Sequence, residues 1–184
     1  MVQTLEVGLL VNNAGFGLVG RFLQNDLDRE LEMLDVNCRA PLILTHELGR
    51  EMVTRKRGGI IFVSSTSGFI STPYLTHYAA SKAYDLYLGE GLWCELIEHG
   101  IVVLSLCPGG TRTEFHELAG IKAFAPMSVQ PVVSLELRKL GKKPSAIAGW
   151  HNRIMIFLER LSARWINTNV AARVIRKRIR STLE

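Results

Sequence analysis

The chain has 184 residues, of which 47% are hydrophobic and 21% charged, and it carries a formal net charge of +5. This length and composition are typical of a protein with one sizeable core, so they exclude a disordered chain. No apolar run approaches the length of about 18 residues that a membrane-spanning helix needs, and Met1–Val11 lacks the basic start and the cleavage site of a signal peptide.

The first part of the chain combines a predicted strand with two predicted helices. Val7–Val11 is a short apolar run that ends in an Asn-Asn-Ala-Gly turn, as expected of a buried strand. Asn25 or Asp26 offers an N-cap for a helix that extends to about Asn37. A second helix is predicted from about Ala40 to Arg55, before a pair of glycines.

The middle of the chain repeats the alternation of strand and helix. Ile60–Ser64 is predicted to be a buried strand, His77–His99 a long helix that ends at Gly100, and Ile101–Cys107 a third buried strand. Strands that are apolar on both faces and joined by helices indicate a parallel sheet in an α/β fold.

The predicted topology brings the ends of the three strands together. Right-handed crossovers place the carboxyl ends of parallel strands at one edge of the sheet. Asn13, Ser65 and Pro108, which follow these strands, are therefore expected to line one crevice. Open α/β sheets bind their ligands in such a crevice.

The pattern is weaker after Thr111. A mobile loop with a short helix is predicted up to residue 128. We then predict a helix over Val129–Leu140, a short edge strand over Ser145–Ala148 and two closing helices over Asn152–Leu161 and Asn169–Arg180.

The cysteines and the basic residues near the C-terminus bear on location and partners. Cys38, Cys94 and Cys107 lie in apolar stretches without paired or metal-ligand spacing. We interpret all three as small core residues in a reducing cytoplasm, and we predict no metal site. The basic cluster within residues 173–180 is interpreted as a solvated helix end, so no nucleic-acid partner is predicted.

Tyr78 and Lys82 are the strongest candidates for chemistry. Their spacing of four residues puts a phenol and an ammonium on one face of the predicted helix. The ordinary pKa of tyrosine, about 10, makes it a poor proton donor and acceptor at neutral pH, but a nearby ammonium or cationic nicotinamide ring lowers that pKa. Tyr78 can then protonate a developing alkoxide, or deprotonate an alcohol in reverse. Taken alone, such pairs are commonly surface residues.

Other polar residues strengthen this interpretation. Ser65 lies 13 residues before the tyrosine, at the end of a predicted strand, where its hydroxyl could hold a carbonyl oxygen. Ser64 and Ser67 are competitors for that role. Asn37, near the end of the first predicted helix, could bridge a water to Lys82, or could cap or kink the helix.

These residues belong to five segments that occur in a characteristic order and spacing. The segments are Leu9-Leu10-Val11-Asn12-Asn13-Ala14-Gly15, Asp35-Val36-Asn37, Ile61-Phe62-Val63-Ser64-Ser65, Tyr78-Ala79-Ala80-Ser81-Lys82 and Cys107-Pro108-Gly109-Gly110-Thr111-Arg112-Thr113. With them the chain resembles the short-chain dehydrogenase/reductases of the short, single-domain type. The resemblance is strong from about Val7 to Phe115 and looser beyond.

The resemblance implies a catalytic role for four residues. Tyr78 would be the general acid/base, and Lys82 would lower its pKa and hold the nicotinamide ribose. Ser65 has the family's spacing from the tyrosine and would orient the substrate oxygen. Asn37 matches the residue that anchors a proton-relay water.

The resemblance also implies residues that bind NAD or NADP. Besides Tyr78 and Lys82, these are Asn13, Ala14 and Gly15 on the ribose and adenine side, and Pro108, Gly109, Thr111 and Thr113 at the nicotinamide end. The cofactor would supply the hydride, while the protein supplies orientation and proton transfer.

The sequence lacks the family's opening segment, a strand, glycine-rich turn and helix that receive the pyrophosphate. The residue that selects NAD or NADP belongs to the same segment. Residues 15–20 fit the pattern G-x-G-x-x-G, but we interpret them as the tail of the Asn-Asn-Ala-Gly motif. We therefore expect a partial Rossmann-like, doubly wound parallel sheet without its first strands, with residues 1–184 as a single domain and 150–184 as a helical C-terminal extension.

This interpretation predicts an open sheet edge at Val7–Val11. Unpaired N–H and C=O groups on an apolar edge promote self-association. We expect the 184-residue chain to be poorly stable or to associate with itself, and a monodisperse monomer with a high, cooperative melting transition would contradict this.

Two functions from different classes follow. The first is an NAD(P)-dependent oxidoreductase that interconverts a carbonyl and a secondary alcohol, competent in its full-length form. The alternative is an inactive, cofactor-deficient relic or binding module. An epimerase or dehydratase of the extended branch also shares Tyr-x-x-x-Lys, but the Asn-Asn-Ala-Gly segment and the short C-terminal region argue against it.

Substrate and partners are indicated only broadly. The loop after Thr111 is apolar and predicts an apolar carbonyl or alcohol; its apolar residues are Phe115, Leu118, Ile121, Phe124 and Met127. The resemblance implies a homo-oligomer formed through the two long helices. An apolar C-terminal stripe could contact a membrane surface, although packing on the domain or across a subunit interface is favoured; the stripe consists of Ile154, Phe157, Leu158, Leu161 and Trp165.

Overall fold

The computed structural model describes residues 5–115, 119 and 126–179. The helices and strands of this part are, in chain order, β1 (Leu9–Asn12), α1 (Leu27–Leu34), a π-helical segment (Asp35–Arg39), α2 (Ala40–Arg55), β2 (Gly58–Val63), α3 (Thr76–Leu96), β3 (Ile101–Cys107), α4 (Val129–Leu137), β4 (Ser145–Ile147), α5 (Trp150–Leu161) and α6 (Arg164–Arg178). Short 3-10 turns cover Phe22–Gln24, Thr66–Phe69 and Ile97–His99.

The four strands form one parallel sheet in the order β1-β2-β3-β4. Leu9 of β1 lies beside Gly59 of β2, and Gly58 lies beside Ile101 of β3. The predicted α/β fold with a parallel sheet is therefore confirmed, and the short strand predicted near Ser145 is present at the edge beyond β3.

The strands are buried because their side chains alternate between two apolar layers. Ile60 and Phe62 of β2 pack with Val103 of β3 in the layer beneath α2 and α3. Ile61 and Leu104 pack on the opposite face of the sheet. Leu9 and Val11 of β1 also point to that opposite face, and each is 47% exposed. The apolar edge strand expected at this place is thus present.

The first two predicted helices are one continuous helical rod, so the predicted break between them is wrong. Asp26 caps α1 by accepting from the backbone N–H groups of Asp28 and Arg29. The rod continues through the π-helical segment, where the Ala40 N–H donates to the Asp35 carbonyl. Pro41 has no N–H to donate to the carbonyl four residues earlier, and the wider turn accommodates this within a continuous helix.

One cysteine lies outside the core, contrary to the prediction. Cys38 and Cys107 are buried as expected, whereas Cys94 is exposed. Cys94 lies on α3 at a position that faces solvent, where the apolar neighbours in the sequence belong to the other side of the helix. A sequence neighbourhood does not determine which face of a helix a residue occupies.

The C-terminal apolar stripe is largely exposed. Its five members, Ile154 to Trp165, are 50% to 71% exposed, whereas Asn152 and Ile156 are the residues of α5 that face inward. Packing on the domain therefore does not cover this stripe, while packing across a subunit interface, the other half of the favoured interpretation, and the alternative contact with a membrane surface stay predictions. Within residues 5–179, as far as they are described, no helix is both long and apolar enough to cross a membrane.

Candidate active site

The carboxyl ends of the parallel strands meet at one edge of the sheet. The Ser64 N–H donates to the Leu106 carbonyl at 2.8 Å, and the Thr66 N–H donates to the Pro108 carbonyl at 2.9 Å. The loop after β1, which begins at Asn13, leaves the sheet at the same edge. The predicted crevice therefore brings together segments that are more than 90 residues apart in the chain.

Tyr78 is held in an apolar setting in the first turn of α3. The residue is 8% exposed, and its ring centre lies 5.2 Å from that of Phe115. A Cβ atom at Gly17 would lie 3.1 Å from both rings, so the backbone of Gly17 passes directly over the tyrosine. Aromatic and apolar side chains thus cover the faces of the phenol ring.

The setting of Tyr78 shifts its proton affinity upward. Burial raises the pKa of Tyr78 to about 12, because the phenolate loses its hydration. The interaction with the Ser65 hydroxyl lowers this pKa, and the negative charge of Asp85 raises it further. Tyr78 is a neutral proton donor at physiological pH in this state.

Lys82 is nearly buried one turn after Tyr78 on α3. Its Nζ donates hydrogen bonds to the Val63 carbonyl and to Asp85 Oδ2, both at 2.9 Å. Asp85 was not among the predicted site residues. The sequence signal that points to it is an acidic residue three positions after the candidate lysine, on the same helix face.

The three candidate serines have different partners. The Ser64 hydroxyl is buried and donates to the Lys82 carbonyl at 2.6 Å, which attaches β2 to α3. The Ser65 hydroxyl accepts from the Ser67 N–H at 3.1 Å and interacts with Tyr78. Of the three, Ser65 is therefore the serine that lies beside the phenol.

Asn37 is fully buried within the π-helical segment. Its Oδ1 accepts from the Phe16 N–H at 3.1 Å, and its Nδ2 donates to the Phe16 carbonyl at 2.9 Å and to Ser81 Oγ at 3.0 Å. Asn37 thus joins the loop after β1 to α3. π-Helical turns inside α-helices are frequent at functional sites.

The predicted cofactor residues lie along the crevice. Asn13, Ala14 and Gly15 are exposed after β1. A Cβ atom at Gly15 would lie 3.0 Å from Asn37 Oδ1 and 3.3 Å from Lys82 Nζ, so glycine leaves open space in front of the ammonium. An ammonium has three N–H groups, and two of those of Lys82 have the protein acceptors named above. The residues therefore fit the hydroxyl groups of a nicotinamide ribose at this place.

The segment after β3 forms the other side of the crevice. Pro108 and Gly109 are half-buried, and Thr111 Oγ1 donates to the Gly109 carbonyl at 3.1 Å. A Cβ atom at Gly109 would lie 2.3 Å from Asn152 Nδ2, so α5 packs closely against this turn. Thr113 is exposed. In the apolar loop, Phe115 contacts Tyr78, whereas Leu118, Ile121 and Phe124 lie outside the described residues.

The G-x-G-x-x-G pattern at residues 15–20 does not have the surroundings of a phosphate site. Gly17 lies over Tyr78, and the pattern leads into a 3-10 turn and not directly into an α-helix. The next α-helix, α1, has Asp26 as its N-cap and acidic residues in its first turn. Negative charges there repel a phosphate group.

The chain is similar to several characterised proteins. It is 31% identical over 159 residues to the very-long-chain 3-oxoacyl-CoA reductase of Anas platyrhynchos, covering 81% of this chain and 51% of the relative. It is 31% identical over 180 residues to the hydroxysteroid dehydrogenase-like protein 1 of Gallus gallus, covering 94% of this chain and 54% of the relative. The chain thus spans about half the length of the curated relatives it matches.

A solved structure and a family model agree with these relatives. The short-chain dehydrogenase from Sphingobium yanoikuyae in complex with NADPH superposes with a TM-score of 0.74 at 30% identity, covering 78% of this chain and 58% of the other. Residues 1–121 match the sequence model described as short chain dehydrogenase. The chain belongs to the short-chain dehydrogenase family.

Proposed function

We propose that the protein containing this chain is an NAD(P)-dependent oxidoreductase that interconverts a carbonyl and a secondary alcohol. The observation that carries the proposal is the arrangement of Tyr78, Lys82 and Ser65 at the carboxyl edge of the sheet. The relative from Sphingobium yanoikuyae, whose structure is in complex with NADPH, supports a nicotinamide cofactor.

The proposed mechanism divides hydride and proton transfer between cofactor and protein. A bound nicotinamide cofactor supplies the hydride for reduction and accepts it in the reverse direction. In reduction, Ser65 would orient the substrate carbonyl, and the Tyr78 hydroxyl would donate its proton to the carbonyl oxygen. The Lys82 ammonium stabilises the phenolate that remains, and a proton from solvent then restores the phenol.

The residues that would hold the cofactor line both sides of the crevice. The remaining N–H of Lys82 would bind the ribose hydroxyls in the space left by Gly15. Asn13 and Ala14 would border the adenine side, while Pro108, Gly109, Thr111 and Thr113 would face the nicotinamide. We propose that Asn37 keeps the loop after β1 in place through its two bonds to Phe16.

The surroundings of Tyr78 support an apolar substrate. Phe16, Leu18, Val19 and Phe115 pack in one cluster with Tyr78. The names of two relatives, a very-long-chain 3-oxoacyl-CoA reductase and a hydroxysteroid dehydrogenase-like protein, refer to compounds with large apolar parts. We therefore propose a carbonyl or alcohol attached to an extended apolar group.

Cofactor titration separates this proposal from an inactive relic. Quenching of intrinsic fluorescence by NADH and NADPH is to be measured for the 184-residue chain and for any longer product of its gene, followed by turnover of an apolar ketone. Binding and turnover that Tyr78→Phe removes would support the enzyme. Binding of neither cofactor in any form would support the relic or binding module.

We propose in addition that the protein is a homo-oligomer formed through α2 and α3. A groove on this side is lined by residues of the helical rod and of α3, among them Leu34, Leu42, Ala80 and Tyr84. Leu27, Leu31 and Leu42 are exposed nearby. A second copy would bury these apolar side chains, which otherwise remain in water. The cytoplasmic location and the single-domain organisation stay predictions.

A further inference from the structure

Asp85 is a buried carboxylate for which the proposed mechanism has no role so far. Its side chain is 2% exposed, and Oδ2 accepts from Lys82 Nζ at 2.9 Å. Oδ1 is buried and has no hydrogen-bond partner within the described ranges. Among these residues, the Lys82 ammonium is therefore the group that stabilises the carboxylate.

A carboxylate at this place is not explained by packing. Removing a charge from water is costly, and an apolar side chain of similar size would fill the same space without that cost. The buried Oδ1 adds to the cost, because it receives no hydrogen bond from the described residues. The negative charge therefore calls for a role that an apolar residue could not fill.

Asp85 constrains the orientation of the Lys82 ammonium. The carboxylate and the Val63 carbonyl each accept one of its N–H groups. With two N–H directions fixed, the third is fixed as well, because the three are arranged tetrahedrally. Gly15 is the close neighbour of Nζ on the side of the crevice, where its missing side chain leaves room.

Asp85 also determines the local balance of charge. Lys82 and the phenols of Tyr78 and Tyr84 lie on the same helix. Burial is the main cause that raises the pKa of both phenols, and the charge of Asp85 raises each pKa further. From the π-helical segment, Cys38 faces the pair, and burial first and Asp85 second raise the pKa of its thiol to about 11.

The polar groups that the neighbouring described elements present here have partners other than the Asp85 side chain. From β2 and β3 the polar side chains are the hydroxyls of Ser64 and Ser105, which bond to backbone carbonyls of α3. From α1, Glu30 bonds to His77 and not to this pair. Within the described residues, the lysine and the aspartate thus form a buried ion pair on the helix that carries Tyr78.

We propose that Asp85 is a positioning residue, which holds the Lys82 ammonium in the orientation needed for the ribose and offsets its charge. The proposal rests on the proposed function of Tyr78 and Lys82. It implies that proton transfer by Tyr78 takes place at higher pH than it would beside a lysine without an anionic partner. Its direct consequence, a restrained ammonium, does not require turnover.

Two measurements on Asp85→Asn test the proposal, with Glu95→Gln as the control, an exposed acidic residue on the same helix. The first is the pH dependence of kcat/KM in the oxidative direction, with saturating cofactor. We expect the apparent pKa to fall by about one pH unit in Asp85→Asn, the effect of removing one nearby charge, and to be unchanged in the control.

The second measurement is competitive acetylation of lysines in the cofactor-free chain, quantified for each lysine by mass spectrometry. Relative to the exposed Lys142, acetylation of Lys82 should increase by about tenfold in Asp85→Asn, because Lys82 Nζ loses the charge-assisted hydrogen bond that restrains it. An unchanged pH profile together with unchanged acetylation would overturn the proposal.

The readouts keep the two proposals apart. If the unchanged protein shows no turnover, the proposed function fails, but the acetylation result still decides whether Asp85 restrains Lys82. If circular dichroism shows that Asp85→Asn does not fold, the acetylation rate of Lys82 in the chain without substitutions decides the test. Acetylation of Lys82 as fast as that of Lys142 would contradict the proposal. Protection of Lys82 from acetylation that is retained in Asp85→Glu but lost in Asp85→Leu would support it.

Discussion

The side chain of Asn37 forms both of its backbone hydrogen bonds with one residue, Phe16, which is 21 residues earlier in the chain. The amide accepts from the Phe16 N–H and donates to the Phe16 carbonyl, as a paired strand would do. The loop after β1 is thereby attached to the helical rod beside Lys82. The geometry of the crevice depends on this contact.

Replacement of Asn37 should therefore destabilise the protein as well as the site. Asn37→Ala leaves two partly buried backbone groups of Phe16 without their partners, and an unpaired group of this kind costs about 1–3 kcal/mol when it is fully buried. We expect the free energy of unfolding, measured in urea, to fall by at least about 2 kcal/mol. Asn167→Ala, which alters a half-buried asparagine on α6, is the control. A loss no larger than that of the control would be incompatible with this role.

Replacement of Tyr78 should remove catalysis and also change stability at high pH. Tyr78→Phe lacks the proton that the mechanism transfers, so we expect kcat/KM to fall by about 10²–10⁴-fold with cofactor binding retained. Tyr87→Phe alters an exposed tyrosine on the same helix and should leave kcat/KM unchanged.

The sign of the stability effect follows from the raised pKa of Tyr78. Burial raises that pKa from 10.0 to about 12, so the phenol contributes stability that is fully present below pH 10 and is lost as the pH rises through about 12. Tyr78→Phe should unfold at higher pH than the unchanged chain in an alkaline titration followed by circular dichroism. Equal midpoints would contradict the burial of a neutral phenol.

Glu159 should make stability depend on pH in the acidic range. Burial raises the pKa of Glu159 from 4.5 to about 7, and within the described residues its Oε2 is buried without a partner. Its contribution to stability is therefore full below pH 4.5 and is lost as the pH rises through about 7. In Glu159→Gln, thermal unfolding should vary less between these pH values, whereas Glu98→Gln, at an exposed position, should follow the unchanged chain.

The proposed oligomer should depend on the apolar groove between α2 and α3. Leu42 is 47% exposed and lines the groove between the helical rod and α3. Leu42→Asp places a charge where a second copy would exclude water, which opposes association. Light scattering coupled to size exclusion should show a smaller mass than for the unchanged chain. A monomeric unchanged chain would refute an oligomer of this kind.

The parallel sheet and the candidate site could largely be predicted from the sequence. Ile101–Cys107 is a strand at the predicted bounds, because an apolar run of this length between a glycine and a Pro-Gly turn has few alternatives. Asn13, Ser65 and Pro108 were expected together because parallel strands and right-handed crossovers bring the strand ends to one edge. The spacing of Ser65 from Tyr78 and the family resemblance joined Ser65 to Tyr78 and Lys82.

The helical boundaries were less predictable. The break expected between Asn37 and Ala40 is a continuous rod, because a π-helical turn accommodates Pro41 and periodicity does not reveal such a turn. The exposure of Cys94 and of the stripe on α5 depends on which helix faces other elements cover, and local sequence carries no such information.

The sequence by itself determined the family, the order of the elements and the phenol–ammonium pair, because these depend on local patterns and on spacing along the chain. Only the tertiary structure decided which partners these groups have. It brought the Val63 carbonyl to the ammonium of Lys82 and buried the ion pair of Lys82 with Asp85, and it assigned Ser64 to a helix carbonyl and Ser65 to the phenol. Such choices depend on side-chain direction and on burial, which arise only when distant segments pack together.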